Sequence, residues 1–143
     1  MENLLKNQID YDNLGAKEQE AYNYTKVASV LADYGFHCMY NHVDRHGADL
    51  IAIHTQSGSS FSLQLKGSRP TIAKKYIGKK LWIVYTDRAS NEICLYDHDK
   101  AVSLFEATDR AMTESWAGNG QYSFSPTKRP SVFEEITIRL KIK

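Results

Sequence analysis

An acidic residue and a polar pair stand on either side of a short turn in the middle of the chain. Asp49 directly precedes the apolar run Leu50–Ile53, and Gln64 and Lys66 lie two residues apart after the turn. Side chains at positions i and i+2 of a strand point to the same face, so Gln64 and Lys66 share a face. If the two runs pair as a hairpin, a carboxylate, an amide and an ammonium meet near one end of a sheet.

This set of groups suits metal-dependent hydrolysis of a phosphodiester. Mg²⁺ prefers oxygen ligands and keeps several waters. We expect Asp49, the side-chain oxygen of Gln64 and the carbonyl of Leu65 to bind Mg²⁺, with Mn²⁺ as a possible substitute. Lys66 would lie beside the attacking water or the phosphate and stabilise negative charge. The metal lowers the pKa of its water and neutralises the phosphate.

The patterns around these residues predict the elements that position them. Leu50–Ile53 is a near-continuous apolar run, typical of a strand covered on both faces. Gln56–Ser59 has the composition of a turn, and apolar Phe61, Leu63 and Leu65 then alternate with polar residues. The sequence therefore predicts an antiparallel hairpin.

Further elements are expected on both sides of the hairpin. A helix is predicted over Lys17–Asp33, where Ala21, Tyr24, Ala28 and Leu31 recur at helical spacing. The other expected elements are strands at Phe36–Asn41, Leu81–Tyr85 and Glu92–Tyr96, a short helix between Pro70 and Gly78, a helix at Asp99–Ala107 and a loop at Ala117–Pro130. At the end, Ser131 and Glu134 form a capping box that opens a helix, while Ile138, Leu140 and Ile142 alternate as in a strand. The order predicts an α/β or α+β fold with helices around a mixed sheet of four to five strands.

The ordered motif resembles the PD-(D/E)XK nuclease superfamily, which includes many type II restriction enzymes and archaeal Holliday-junction resolvases. The resemblance covers about Lys17 to Tyr85 and rests on Gly-x-Asp at Asp49 followed by Gln-x-Lys at Gln64 and Lys66. It implies a restriction-endonuclease-like fold and a metal-dependent nuclease. Ala48 stands where the family usually has proline. Gln64 stands where it usually has Glu or Asp, which removes one negative charge and leaves open a binding-only descendant.

The resemblance also implies an acid on the first helix that reaches the metal. Glu18 and Glu20 are the candidates. The alternative is that both are solvated acids on the helix surface. Glu20 falls on the apolar stripe that should pack on the sheet, whereas Glu18 falls on a more polar face. We therefore expect Glu20 to be a catalytic residue and metal ligand.

A run of cations follows the predicted site. It contains no acid, and its members are Lys66, Arg69, Lys74, Lys75, Lys79 and Lys80. We expect the last five to contact the phosphate backbone of DNA, since a local basic run in a nearly neutral chain is a reasonable footprint for it. The alternative is an ordinary solvated surface.

Length and composition limit the other possibilities. The chain has 143 residues, of which 42% are hydrophobic and 24% charged, with a formal net charge of +1. These values predict one globular domain over residues 1–143. Two cysteines cannot form a disulfide framework, and no apolar run reaches the roughly 18 residues that span a bilayer, so we expect a cytoplasmic protein without a membrane partner. A zinc site among His37, Cys38, His42 and His46 lacks the usual ligand spacing.

The sequence thus predicts a Mg²⁺-dependent endonuclease acting on double-stranded or branched DNA. One site cuts one strand, so a C2 homodimer is expected for cleavage of both. The alternatives are a non-catalytic DNA-binding module on the same fold and an interaction protein without a nucleic-acid role.

Overall fold

One long helix precedes a run of strands, and shorter helices lie between the later strands. The computed structural model describes residues 1–43, 46–125 and 131–143. Its helices and strands are α1 (Ala16–Ala32), β1 (Phe36–Tyr40), β2 (Leu50–His54), β3 (Ser60–Leu65), β4 (Thr71–Ala73), β5 (Leu81–Asp87), β6 (Glu92–Asp97), α2 (His98–Glu106), α3 (Glu114–Ala117), β7 (Gln121–Ser123), α4 (Ser131–Ile136) and β8 (Ile138–Lys141).

Six of the described strands form the main sheet, in the order β1-β2-β3-β5-β6-β8. Strands β3 and β5 pair in parallel, and the other neighbours pair antiparallel. Strands β4 and β7 form a separate two-stranded sheet. The protein is therefore a mixed α+β structure, and the predicted hairpin of β2 and β3 is confirmed. The expected four to five strands were too few, because the chain end returns as β8 beside β6.

Each face of the main sheet has its own core. Val27, Val30 and Leu31 of α1 pack with Leu63 and Leu65 of β3 on one face. Helix α2 and the aromatic residues of the second half form the other core, which includes Tyr85, Tyr96, Phe105, Phe124 and Phe133. Since side chains alternate along a strand, Gln64 and Lys66 project from the face opposite α1.

Two predicted segments differ from the structure. The helix expected between Pro70 and Gly78 is instead the short strand β4 followed by a 3₁₀ turn at Lys74–Tyr76. The loop expected at Ala117–Pro130 contains strand β7, and its residues 126–130 lie outside the described part of the chain. β4 and β7 each have three residues, too few to show a period in the sequence.

Helix α1 also differs from its prediction in the face that it buries. Ala21, which was expected on the buried stripe, is exposed, and Asn23 is buried in its place. The Asn23 side chain donates to the hydroxyl of Tyr11, at 2.7 Å. An early segment of the chain therefore covers this end of the helix, which helical periodicity alone does not indicate.

An apolar groove lies on the α1 face of the sheet. It has a volume of about 270 Å³ and is lined by apolar and aromatic side chains, among them Tyr34, Phe36, Phe61, Trp82 and Ile138. None of the described helices is both long and apolar enough to cross a membrane.

His98, at the start of α2, is a buried hydrogen-bond acceptor. Its Nε2 accepts from the backbone N–H of Ala73 at 3.1 Å, and its Nδ1 lies 3.4 Å from Oδ1 of Asp99. An acceptor at Nε2 requires the neutral ring with its proton on Nδ1. Burial lowers the pKa of His98, although Asp99 and Asp97 oppose the shift, and the charge of Lys66 adds to the lowering.

We expect this lowered pKa to make the fold less stable in mild acid. The unfolded chain binds the proton more readily, so the free energy of unfolding falls as pH decreases below about 6.5, by at most about 1.4 kcal/mol per pH unit. Urea unfolding at pH 7.5 and 5.5 measures it. His98→Gln keeps an acceptor and should flatten the dependence, whereas exposed His37→Gln should not. An equal pH dependence of wild type and His98→Gln would contradict the assignment.

Candidate functional site

The register of the hairpin places Asp49 opposite Gln64. Leu50 of β2 pairs with Leu63 of β3, and the Asp49 N–H donates to the Leu63 carbonyl at 2.8 Å. Beyond this pair the side chain of Asp49, and not its backbone, makes the next hydrogen bonds to β3. Its Oδ2 accepts from Gln64 Nε2 at 2.7 Å and from the Leu65 N–H at 2.8 Å. The structure therefore brings three of the predicted site residues into contact.

The loop before Asp49 is held on both sides. Asn41 donates its side-chain amide to the Ala48 carbonyl at 2.9 Å and its backbone N–H to the Asp49 carbonyl at 2.8 Å. Gly47 has a positive φ of 76° and lies against Tyr76, where an added Cβ would be 2.8 Å from the ring. The Gly-x-Asp motif is thus a backbone requirement as well as a source of the carboxylate.

The Gln64 side chain has one satisfied end and one unsatisfied end. The residue is 8% exposed, and its Oε1 is buried without a hydrogen-bond partner among the described residues. Its Nε2 lies 2.7 Å from Asp49 Oδ2 and 3.5 Å from the Leu65 carbonyl oxygen. The amide nitrogen therefore occupies a position between two oxygens.

These groups match the ligand preferences of Mg²⁺. Turning the amide end for end would present Oε1 to the space between the Asp49 carboxylate and the Leu65 carbonyl, in exchange for the hydrogen bond that Nε2 now donates to Asp49. The donor set would be one charged and two neutral oxygens, with the remaining ligands supplied by water. Leaving a buried polar atom unpaired is costly, so its presence requires an explanation.

Lys66 lies on the same face but does not contact Asp49. Its Nζ is 3.5 Å from the hydroxyl of Tyr76 and 5.3 Å from the centre of that ring. Lys75 approaches the same ring, at 4.9 Å. Tyr76 is 5% exposed, and two ammonium groups approach this ring near the end of β3. The motif analysis did not select Tyr76; an aromatic residue within a basic run was its only signal.

The side chain of Tyr40 separates Glu20 from the pair of Asp49 and Gln64. It accepts a hydrogen bond from the hydroxyl of Tyr40, and Lys17 Nζ lies 3.4 Å from its other oxygen. Among the described residues it does not contact Asp49, Gln64 or Lys66. Glu18 instead accepts from the Gly15 N–H at 2.7 Å and caps α1. Of the two candidate acids, Glu20 is therefore the one that faces the sheet.

Tyr40 connects Glu20 with the neighbourhood of Asp49. The hydrogen bond to Glu20, burial and the charges of Glu20 and Asp49 raise the pKa of Tyr40 to about 12. The same hydrogen bond is the main cause that lowers the pKa of Glu20; burial opposes the shift, and Lys17 adds to the lowering. Glu20 therefore stays ionised, and Tyr40 stays a hydrogen-bond donor. The motif did not indicate Tyr40, because the pairing of Tyr40 with Leu50 is a property of the folded sheet.

The predicted DNA-binding residues are all at the surface. Arg69, Lys74, Lys75, Lys79 and Lys80 are exposed. Lys75 is tied to the site through Tyr76, whereas Lys74 lies 5.4 Å from the ring centre of Trp116, farther along the molecule. Asp99 of α2 accepts from the Gly78 N–H with both oxygens at 3.1 Å. The carboxylate of Asp99, on α2, therefore lies within the surface formed by these cations.

Groups of three or more His, Cys, Asp or Glu side chains suited to a metal do not occur within residues 1–43, 46–125 and 131–143. The magnesium site expected here draws on an amide and a backbone carbonyl, which lie outside that set of side chains. Comparisons with protein-family models, curated proteins and solved structures found no match to this chain.

Proposed function

We propose that this protein is a Mg²⁺-dependent DNA endonuclease with a restriction-endonuclease-like fold. The six-stranded mixed sheet is compatible with that fold, and the ordered Gly-x-Asp and Gln-x-Lys motif favours it. The observation that carries the proposal is the contact of Asp49 with Gln64 and Leu65, beside a buried amide oxygen that has no partner among the described residues.

The proposed roles follow from the positions of the side chains. Asp49, Gln64 and the Leu65 carbonyl would hold Mg²⁺, which would polarise the phosphate and lower the pKa of the attacking water. Lys66, beside Tyr76, would place positive charge next to the scissile phosphate and stabilise the charge that develops there. Glu20 acts through Tyr40 as a positioning residue, and it becomes a ligand only if the Tyr40 contact opens. The exposed cations bind the backbone on either side.

Cleavage of a duplex in both strands requires two such sites. The proposal therefore includes a C2 homodimer on double-stranded or branched DNA. Sedimentation of the protein with and without DNA measures this association directly.

The decisive experiment is cleavage of supercoiled plasmid and of branched DNA. We expect nicks or discrete fragments with Mg²⁺ or Mn²⁺ and none with EDTA. Asp49→Ala and Lys66→Met should each reduce the rate by at least about a hundredfold, because removing one group that stabilises transition-state charge has an effect of that order. Lys100→Ala, an exposed cation on α2, is the matched control and should cleave as wild type.

A second candidate is a DNA-binding module without nuclease activity. The neutral Gln64 and the contact of Lys66 with Tyr76 favour it, since neither adds charge to the Asp49 carboxylate. Under this reading DNA binding weakens as salt rises. It also survives Asp49→Ala, and no divalent metal produces cleavage. Cleavage that is lost in Asp49→Ala would exclude this candidate.

A further inference from the structure

A polar cleft, separate from the hairpin site, lies at the end of β5, between the early segment of the chain and the loop that follows Lys66. Two depressions of about 460 and 220 Å³ share Tyr11, Thr86 and Arg88 among their lining residues. The larger is also lined by Gly67 and Ser68, which directly follow Lys66 in the chain, and the smaller by Lys26. The cleft therefore begins where the proposed nuclease site ends.

Arg88 is oriented in this cleft by an aromatic ring. Its guanidinium lies 3.2 Å from the centre of the Tyr11 ring, and its Nη1 lies 3.2 Å from Oδ1 of Asp12. Among the described residues the other guanidinium nitrogens have no partner. Stacking fixes the plane of the group and leaves in-plane donors, which is the arrangement that binds phosphate or carboxylate oxygens. The exposed carboxylate of Asp12 occupies one such anion position.

An unsatisfied hydroxyl also belongs to the cleft. Thr86 lines both depressions and is 7% exposed, yet its Oγ1 is buried without a hydrogen-bond partner in the described part of the chain. A buried hydroxyl normally has a partner. Asp87, the neighbouring acid, is paired with Arg139 at 3.3 Å, which offsets its repulsion of an anion.

We infer that the Tyr11–Arg88 cleft binds a backbone phosphate of the nucleic-acid strand that passes the hairpin site, and that Asp12 competes with this phosphate for Arg88. The inference rests on the proposed function for the identity of the ligand. The guanidinium of Arg88 supplies the charge, and Ser68 in the lining of the larger depression supplies a neutral partner. Lys26 adds a second cation to the lining of the smaller depression.

Binding of a labelled DNA duplex in Ca²⁺ or EDTA tests the inference without requiring cleavage. We expect Arg88→Ala to weaken binding about tenfold, the effect of losing one charge-assisted contact, and to reduce the slope of log K against log salt by about 1. Asp12→Asn should strengthen binding about threefold, since it removes the competing charge. Lys100→Ala, an exposed cation of α2 that does not line the cleft, is the matched control and should change affinity by less than about twofold.

Opposite signs for the two cleft variants separate this contact from a loss of folding. Equal binding by Arg88→Ala and Lys100→Ala, or weaker binding by Asp12→Asn, would overturn the inference. If wild type cleaves DNA and Arg88→Ala is indistinguishable from it, this inference fails and the proposed function stands. If no variant binds DNA, both fail. Thermal stabilisation of wild type but not Arg88→Ala by inorganic phosphate, with DNA affinity unchanged, would assign the cleft to a free anion.

Discussion

Replacing Gln64 with glutamate is expected to make the stability of the protein depend on Mg²⁺. The new carboxylate would lie against Asp49 Oδ2, where the amide now donates at 2.7 Å. Two like charges at this distance, with one hydrogen bond lost, should reduce the free energy of unfolding by about 2–4 kcal/mol in EDTA near pH 8. Mg²⁺ should recover most of that loss, because a ligand that binds only the folded state stabilises it.

The pH dependence of Gln64→Glu provides a second measurement. Two carboxyls that share one site raise the pKa of one of them, so the variant in EDTA should regain stability as pH decreases and one carboxyl becomes protonated. Urea unfolding with EDTA and with saturating Mg²⁺, at two pH values, measures both effects. Gln64→Met is the control, since it removes the amide at similar volume and adds no charge. If Mg²⁺ stabilises Gln64→Glu no more than wild type, the amide does not lie at a metal site.

Gly47→Ala is expected to be the most destabilising small substitution in the motif. An alanine Cβ would lie 2.8 Å from Cε1 of Tyr76 and 3.1 Å from Cδ1 of Leu81, both of which are buried. The positive φ of 76° adds backbone strain. Together these effects should reduce the free energy of unfolding by about 2–5 kcal/mol.

Two other glycines separate the contributions to this loss. Gly58 also has a positive φ, of 73°, but a Cβ there meets nothing within 4 Å, so Gly58→Ala measures the backbone cost alone. Gly67 has neither a positive φ nor a close neighbour, and Gly67→Ala should be nearly neutral. We therefore expect the highest denaturation midpoint for Gly67→Ala, a lower one for Gly58→Ala and the lowest for Gly47→Ala. Equal midpoints for Gly47→Ala and Gly58→Ala would show that Tyr76 does not pack against this turn.

The elements with strong periodic patterns could be predicted from the sequence. Helix α1 begins and ends within one residue of its expected bounds, and the β2–β3 hairpin follows from an apolar run, a turn and an alternating run. The chain end combined two signals, and both are realised in succession. The helix predicted from Ser131 is α4, and the alternation after it forms β8. The short strands β4 and β7 could not be predicted, because each depends on the other for pairing.

The proximity of Asp49 and Gln64 followed from strand geometry, but their surroundings did not. Tyr40 and Tyr76 determine where Glu20 and Lys66 lie, and both tyrosines reach the site through packing between elements that are distant in sequence. The unsatisfied oxygen of Gln64 is likewise a property of the folded environment. A motif gives the types of the site residues, whereas their partners depend on tertiary structure.

The order of the strands also has a consequence for the kinetics of folding. The contact of Gln64 with Asp49 closes a separation of 15 residues, whereas Asn91 reaches Ile142, next to β8, across 51 residues. Loop-closure entropy makes the longer contact about 1 kcal/mol less favourable before any packing is gained. A hairpin forms in about 1–10 μs, so the local pair favours early assembly. During synthesis the hairpin that carries Asp49 and Gln64 can therefore form before β8 has emerged from the ribosome, and the edge of β6 stays open until β8 pairs with it.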